Sequence, residues 1–253
     1  MERIEKEIKE NELLGFKKLF FEALSLWSRN LFQIFIIYII PVIILRLLLG
    51  ILYDVQLFGI FLALVNAKAP VFLVVKSAVA QRLLSYVILP AAMSLFWVTL
   101  IFYFHNVINN GEKKWRESFI LAIPIFPRLA LWTIITSLIE EIGLIFLIIP
   151  GVYLMIRYVF VDYVVVLEKD VSNPLRKSWE LTKGFGWHII GYLIFLSLIY
   201  VASAIPLYIL IAIFGNPLVL RIIEKAWLHL FAILCGIFFL QFYLNLKRFK
   251  TIT

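Results

Sequence analysis

Charge is scarce in this sequence. Asp, Glu, Lys and Arg make up 16% of its 253 residues, where a soluble domain carries about a quarter. Apolar side chains take their place at 63%, and the mean hydropathy is +0.99. A water-soluble globule is excluded, and the chain reads as spans of an integral membrane protein. Cysteine is nearly absent: Cys235, in the last apolar run, is the only one. That rules out an intrachain disulfide and a thiolate metal site. The three histidines, His105, His188 and His229, are dispersed, and there is no HExxH, no glycine-rich phosphate loop and no nucleophile–base spacing. No metal and no cofactor are expected. A cleavable signal is not expected either, because about thirty amphipathic, mixed-charge residues precede the first apolar run. The net charge of +8 would suggest nucleic acid in a soluble chain. Here the basic residues lie between apolar runs, where they act as topology signals and contacts to anionic lipid, so no nucleic-acid partner is expected.

What the chain does have is apolar runs separated by short amphipathic segments. Phe16, Leu19, Phe20, Ala23, Leu24 and Trp27 recur at one face of a 3.6-residue helix, with Lys17, Lys18, Glu22, Ser25 and Arg29 opposite. Ahead of a span, such a helix is expected to lie in the membrane interface. The first span is read from Leu31 to Tyr53, with a kink at Pro41 and Arg46 in its outer third. Asp54 to Arg82 holds apolar runs too short to cross alone and is read as two pieces outside the membrane or dipping into it. Leu83 to Phe104 is the second span, and Lys113 to Phe126 is again amphipathic. The third span covers Leu129 to Ile149, with Glu140 and Glu141 predicting a bend or a hairpin before Pro150-Gly151. The fourth is Gly151 to Leu167. The basic helix Pro174 to Lys183 precedes the fifth span, Trp187 to Phe214, and the sixth runs from Trp227 to Leu246.

This parsing predicts an all-α polytopic membrane bundle of six transmembrane helices with three cytoplasmic interfacial amphipathic helices. It forms a single membrane domain: an amphipathic segment 1–30, the bundle 31–246 and a basic tail 247–253. Charge bias orients it. Basic residues collect before the first span, after the second and fourth, and after the sixth at Lys247, Arg248 and Lys250. The opposite side holds Lys68, Lys76, Arg82, Arg221 and Lys225. The positive-inside rule therefore places both termini in the cytoplasm of a multi-pass cell-membrane protein.

Three segments align as an internal repeat: Phe21 to Tyr38, Phe119 to Thr136 and Trp179 to Leu196. Each passes from an interfacial helix through a break, at Arg29-Asn30, Pro127-Arg128 or Trp187-His188, into an apolar span. The best-defined copy adjoins PGVYLMIRYVFVDYVVVLE (150–168), NPLRKSWELTKG (173–184) and WHIIGYLI (187–194). These runs resemble the six-pass membrane domain attached to some bacterial glycerophosphoryl diester phosphodiesterases, and a group of stand-alone prokaryotic membrane proteins with that domain. Pro150, Gly151, Arg157, Glu168, Ser178 and Trp179 match the family's pattern. The chain has no soluble phosphodiesterase barrel, so the resemblance implies a fold and a membrane location without an activity.

Charges inside spans cost about 2.5–3.5 kcal/mol each on insertion scales, so they face protein or water and have partners. Arg46, Glu140, Glu141 and Arg157 fall at comparable depth on the outer side. They form either a charge-paired brace or a site where arginine grips a phosphate or carboxylate. Arg157 and Glu168 share a helix face, whereas Asp162 points away, toward Arg128 or His188. Glu168 is expected to accept hydrogen bonds at the span's end or to pair with a cation of the following helix. The functional expectation is a non-catalytic, lipid-interacting scaffold or accessory subunit, with membrane lipids, anionic ones among them, and a membrane protein as partners. A transporter or channel for a small anion or lipid through the Arg/Glu cluster is the alternative, and an intramembrane enzyme acting on lipid the third.

Overall fold

The computed structural model describes residues 15–45, 89–111, 114–146, 148–214 and 218–252, and among them every regular element is helical. Arg46 and the segment Asp54 to Arg82 lie outside the described residues. α1 (Phe16–Arg29) forms on the predicted face, with Leu19 and Ala23 buried. Phe16 stacks 4.9 Å from Tyr192 and meets Phe238 edge-on at 5.4 Å. The Trp27 indole donates to the Leu230 carbonyl at 2.9 Å. The apolar face of α1 thus packs on the bundle, and Lys17 and Lys18 are exposed.

Asn30 ends α1. Its buried amide donates to the Leu26 carbonyl at 2.6 Å, and its side-chain oxygen accepts from the Tyr103 hydroxyl at 2.9 Å. There the chain turns by 72° into α2 (Leu31–Leu45). α2 contains a π-helical stretch, Phe35–Ile39, in the turn ahead of Pro41, the residue at which a kink is expected. Proline lacks the N–H that would bond to Ile37 and its ring crowds that carbonyl, so the ladder widens in the turn ahead.

α3 (Leu89–Asn110) runs past the expected end at Phe104. The chain leaves it at Gly111, whose φ of 68° favours glycine. α4 (Trp115–Ala122) and α5 (Phe126–Phe146) meet at 69°. The bend lies at Ile123–Ile125, ahead of Pro127. That proline sits in the first turn of α5, where a missing N–H costs nothing. α5 also continues unbroken through Glu140 and Glu141, because glutamate is a good helix former and gives the backbone no reason to stop. Of the two expected alternatives, a bend there or a hairpin before Pro150-Gly151, the structure has the hairpin, with α5 folded against α6 (Ile148–Tyr158). A methyl group on Gly143 would lie 3.0 Å from the Gly151 Cα, so the two helices touch backbone to backbone.

α7 (Val161–Leu167) follows a break at Val159–Phe160. α8 (Pro174–Thr182) starts on a proper cap: the Asn173 side chain accepts from the Arg176 N–H at 3.0 Å, with Pro174 in the first turn. α9 (Gly186–Phe214) and α10 (Leu218–Ile252) complete the chain. The segments Ile149–Leu167, Gly186–Phe214 and Ile223–Lys250 are long and apolar enough to cross a membrane, and five segments are if each bent pair counts as one span. Met93–Asn109 is apolar but shorter. Such helices fit a membrane protein, as the hydropathy predicts.

α10 is the central helix, burying Ile233, Phe238, Phe242, Tyr243 and Leu246, while α9 is largely exposed. The second and third aligned segments break at equivalent places. α4 and α8 end at Ala122 and Thr182, α5 and α9 begin at Phe126 and Gly186, and both pairs are sixty residues apart. The first segment turns at Asn30, three residues later in that alignment.

Candidate functional site

The break between α6 and α7 is held open from α8. In an unbroken helix the Phe160 N–H would bond to the Ile156 carbonyl, and the Arg157 carbonyl would accept from Val161. Instead the Ser178 hydroxyl, fully buried, donates to the Arg157 carbonyl at 2.7 Å and accepts from the Phe160 N–H at 3.3 Å. One hydroxyl thus satisfies two backbone groups that would otherwise be unpaired in an apolar setting.

This places Arg157 against α8. Its guanidinium carbon lies 4.9 Å from the Tyr153 ring centre and 5.1 Å from that of Trp179. One terminal nitrogen donates to the Thr182 hydroxyl at 3.5 Å, and Thr182 in turn donates to the Trp179 carbonyl at 3.1 Å. The two rings meet edge to face at 5.5 Å, so the guanidinium sits in an aromatic corner. Its Nε is buried with no hydrogen-bond partner, and no ion pair joins Arg157 to a carboxylate among the described residues.

A groove of about 610 Å³ opens beside it between α6 and α9. Ile149, Val152, Ile156 and Ile190 form its apolar walls, with Arg157, Tyr153, Trp187 and the backbone of Gly184 and Gly186 at one end. Ile149 and Trp187 are 84% and 85% exposed, so the groove is open to whatever surrounds the bundle. One guanidinium at the end of an apolar trough is an arrangement that binds an amphiphile with an anionic head.

The other polar residues singled out in the sequence lie elsewhere. Glu140 is within electrostatic range of Asp162 and Tyr158. No ion pair joins Arg157 to it among the described residues. Glu141 belongs to the same helix, α5. Asp162 accepts from the Trp97 indole at 2.9 Å rather than from Arg128 or His188. Arg128 donates to the carbonyls of Lys169, at 2.9 Å, and Val171, tying α5 to the loop before α8. His188 has its ring 6.0 Å from Phe185 and a buried, unpartnered Nδ1. Glu168 accepts from the Tyr243 hydroxyl at 2.5 Å and pairs with Lys247 at 3.1 Å, both on α10 rather than on the helix that follows it. Arg157 thus meets α8 and Glu168 meets α10, across the break at Val159–Phe160. Among the described residues no group of three His, Cys, Asp or Glu side chains could hold a metal ion.

Compared with known protein families, characterised proteins and solved structures, the chain matches none. Sequence reasoning missed Tyr153, Thr182 and the Trp97–Asp162 bond. Only for Tyr153 was there a signal: it precedes Arg157 by four residues, the spacing that stacks side chains on a helix face.

Proposed function

We propose that this is a non-catalytic, lipid-interacting membrane protein, a scaffold or accessory subunit of a membrane assembly, and that an anionic lipid lies in the α6–α9 groove with its head at Arg157. The observation that carries this reading is the guanidinium itself, braced by Tyr153, Trp179 and Thr182 with a buried Nε unpaired, at the end of an apolar trough. This half-buried charge has no carboxylate partner among the described residues, and a lipid phosphate would supply a counterion from the membrane side.

Native mass spectrometry of the detergent-solubilised protein should show a discrete anionic lipid. In Arg157→Ala its occupancy should fall about tenfold or more, the loss of a charge-assisted hydrogen bond. A wild-type spectrum without bound lipid sinks the proposal.

The same reading keeps six spans, both termini in the cytoplasm, three interfacial helices and a threefold repeat. The bends of 72° and 69° support the interfacial helices, and the sixty-residue spacing of helix bounds supports two of the repeats. In a Cys235→Ser background, a cysteine replacing Lys68 should react with a membrane-impermeant thiol reagent from outside the cell only. Labelling confined to inverted membranes would refute the orientation.

A further inference from the structure

We infer that the lipid in the α6–α9 groove comes from the leaflet on the C-terminal side of the bundle, the cytoplasmic one. This rests on the lipid-binding reading and the orientation above, and it names the membrane face that the site serves. A chain of short contacts fixes which end of the bundle holds the head. The Arg157 guanidinium reaches Thr182, the last residue of α8, at 3.5 Å. A methyl group on Gly186, the first residue of α9, would lie 4.0 Å from the Ile156 side chain. Between those two helices Phe185 meets Phe249 edge-on at 6.3 Å. The Lys250 ammonium donates to the carbonyls of Glu180, at 2.5 Å, and Lys183, at 3.5 Å. Arg157 therefore stands at the same end of the bundle as the last turns of α10. With the C-terminus inside, that is the cytoplasmic end rather than the outer side expected for this arginine.

This end also carries the marks of a membrane surface. Lys183, Lys247 and Arg248 are exposed there, and Trp187, 85% exposed, lines the mouth of the groove. Exposed cations and tryptophan collect at the level of the lipid heads, and the excess of cations marks the cytoplasmic face.

The apolar walls lead away from that surface. Ile190 lies one turn into α9, and Tyr192 beyond it meets Phe238 and Phe242 of α10 at 5.3 and 5.2 Å. On α6 the wall runs back from Arg157 to Ile149, about 12 Å of helix. The hydrocarbon of one leaflet is about 15 Å deep. The trough thus matches a single leaflet. A head at Arg157 leaves its acyl chain beside Ile156, Val152 and Ile149 without crossing the midplane.

The test uses the full chain, with a C-terminal affinity tag, in phosphatidylcholine vesicles. Vesicles with the tag outside are separated on affinity resin from those with the tag inside. Phosphatidylglycerol with a photoreactive group on its acyl chain is then exchanged into the outer leaflet alone, and cross-linked peptides are read by mass spectrometry. With the tag outside, cross-links should form between Ile149 and Ile156 and fall about tenfold in Arg157→Ala, the loss of a charge-assisted hydrogen bond. With the tag inside, this Arg157-dependent labelling should be lost. The exposed far end of α9, at Ile213 and Phe214, should then be labelled in wild type and variant alike, which checks that both are inserted. Arg157-dependent cross-links in both populations, or only with the tag inside, would overturn the inference and leave the lipid reading standing. Their absence from both populations would overturn the two together.

Discussion

Gly236→Ala is expected to destabilise the protein by roughly 2–4 kcal/mol, combining overpacking with a lost hydrogen bond. A methyl group at Gly236 would sit 2.1 Å from the Trp97 ring carbon Cη2 and 3.0 Å from Cζ3. α10 cannot retreat, because the Gly236 carbonyl is tied to the Tyr163 hydroxyl at 2.9 Å and the helix is the centre of the core. The indole must therefore move by more than an ångström. That breaks its 2.9 Å bond to Asp162 and strands a carboxyl inside the bundle. Gly191→Ala on α9 is the matched control, since its added methyl meets nothing within 4 Å, and it should stay within about 1 kcal/mol of wild type. Unfolding of the detergent-solubilised variants, followed by far-ultraviolet circular dichroism, measures both. A Gly236→Ala protein as stable as Gly191→Ala would show that the indole does not lie against α10.

Ser178→Ala should cost about 2–3 kcal/mol and also weaken lipid binding, a pairing that neither a simple cavity nor a simple head-group contact produces. The hydroxyl it removes is the partner of both the Arg157 carbonyl and the Phe160 N–H. Left alone, those groups remain unpaired or close the helix across Val159–Phe160. Closing it would rotate α6 relative to α7 and draw Arg157 off the Trp179 ring. Ser178→Thr keeps the hydroxyl and should retain more lipid than Ser178→Ala at equal folded yield. If Ser178→Ala binds lipid as the wild type does, the break does not position Arg157.

Much of the architecture was legible because helices are encoded locally. The face of α1 follows from a 3.6-residue spacing, and the start of α8 follows from Asn173-Pro174. The low charge and high hydropathy required membrane-length helices. The misplacement was local too. The break read at Pro127-Arg128 lies instead at Ile123–Ile125, ahead of the proline, which sits in the first turn of α5. Glu140 and Glu141 leave α5 intact, so of the two alternatives read there it is the hairpin before Pro150-Gly151 that forms.

The charged residues show where local reading stops. Hydropathy and spacing identified Arg157, Asp162 and Glu168 as polar groups within one apolar run, and that follows from sequence alone. Their partners do not: Trp179 and Thr182, Trp97, and Tyr243 with Lys247 come from three other helices. Deriving a shared face for Arg157 and Glu168 needs a continuous helix, and whether it is continuous depends on a serine twenty-one residues from Arg157. Periodicity, capping and proline effects act within about one turn of the chain. The direction of a buried arginine is instead set by which helix supplies the missing backbone partner, and only the packed bundle decides that.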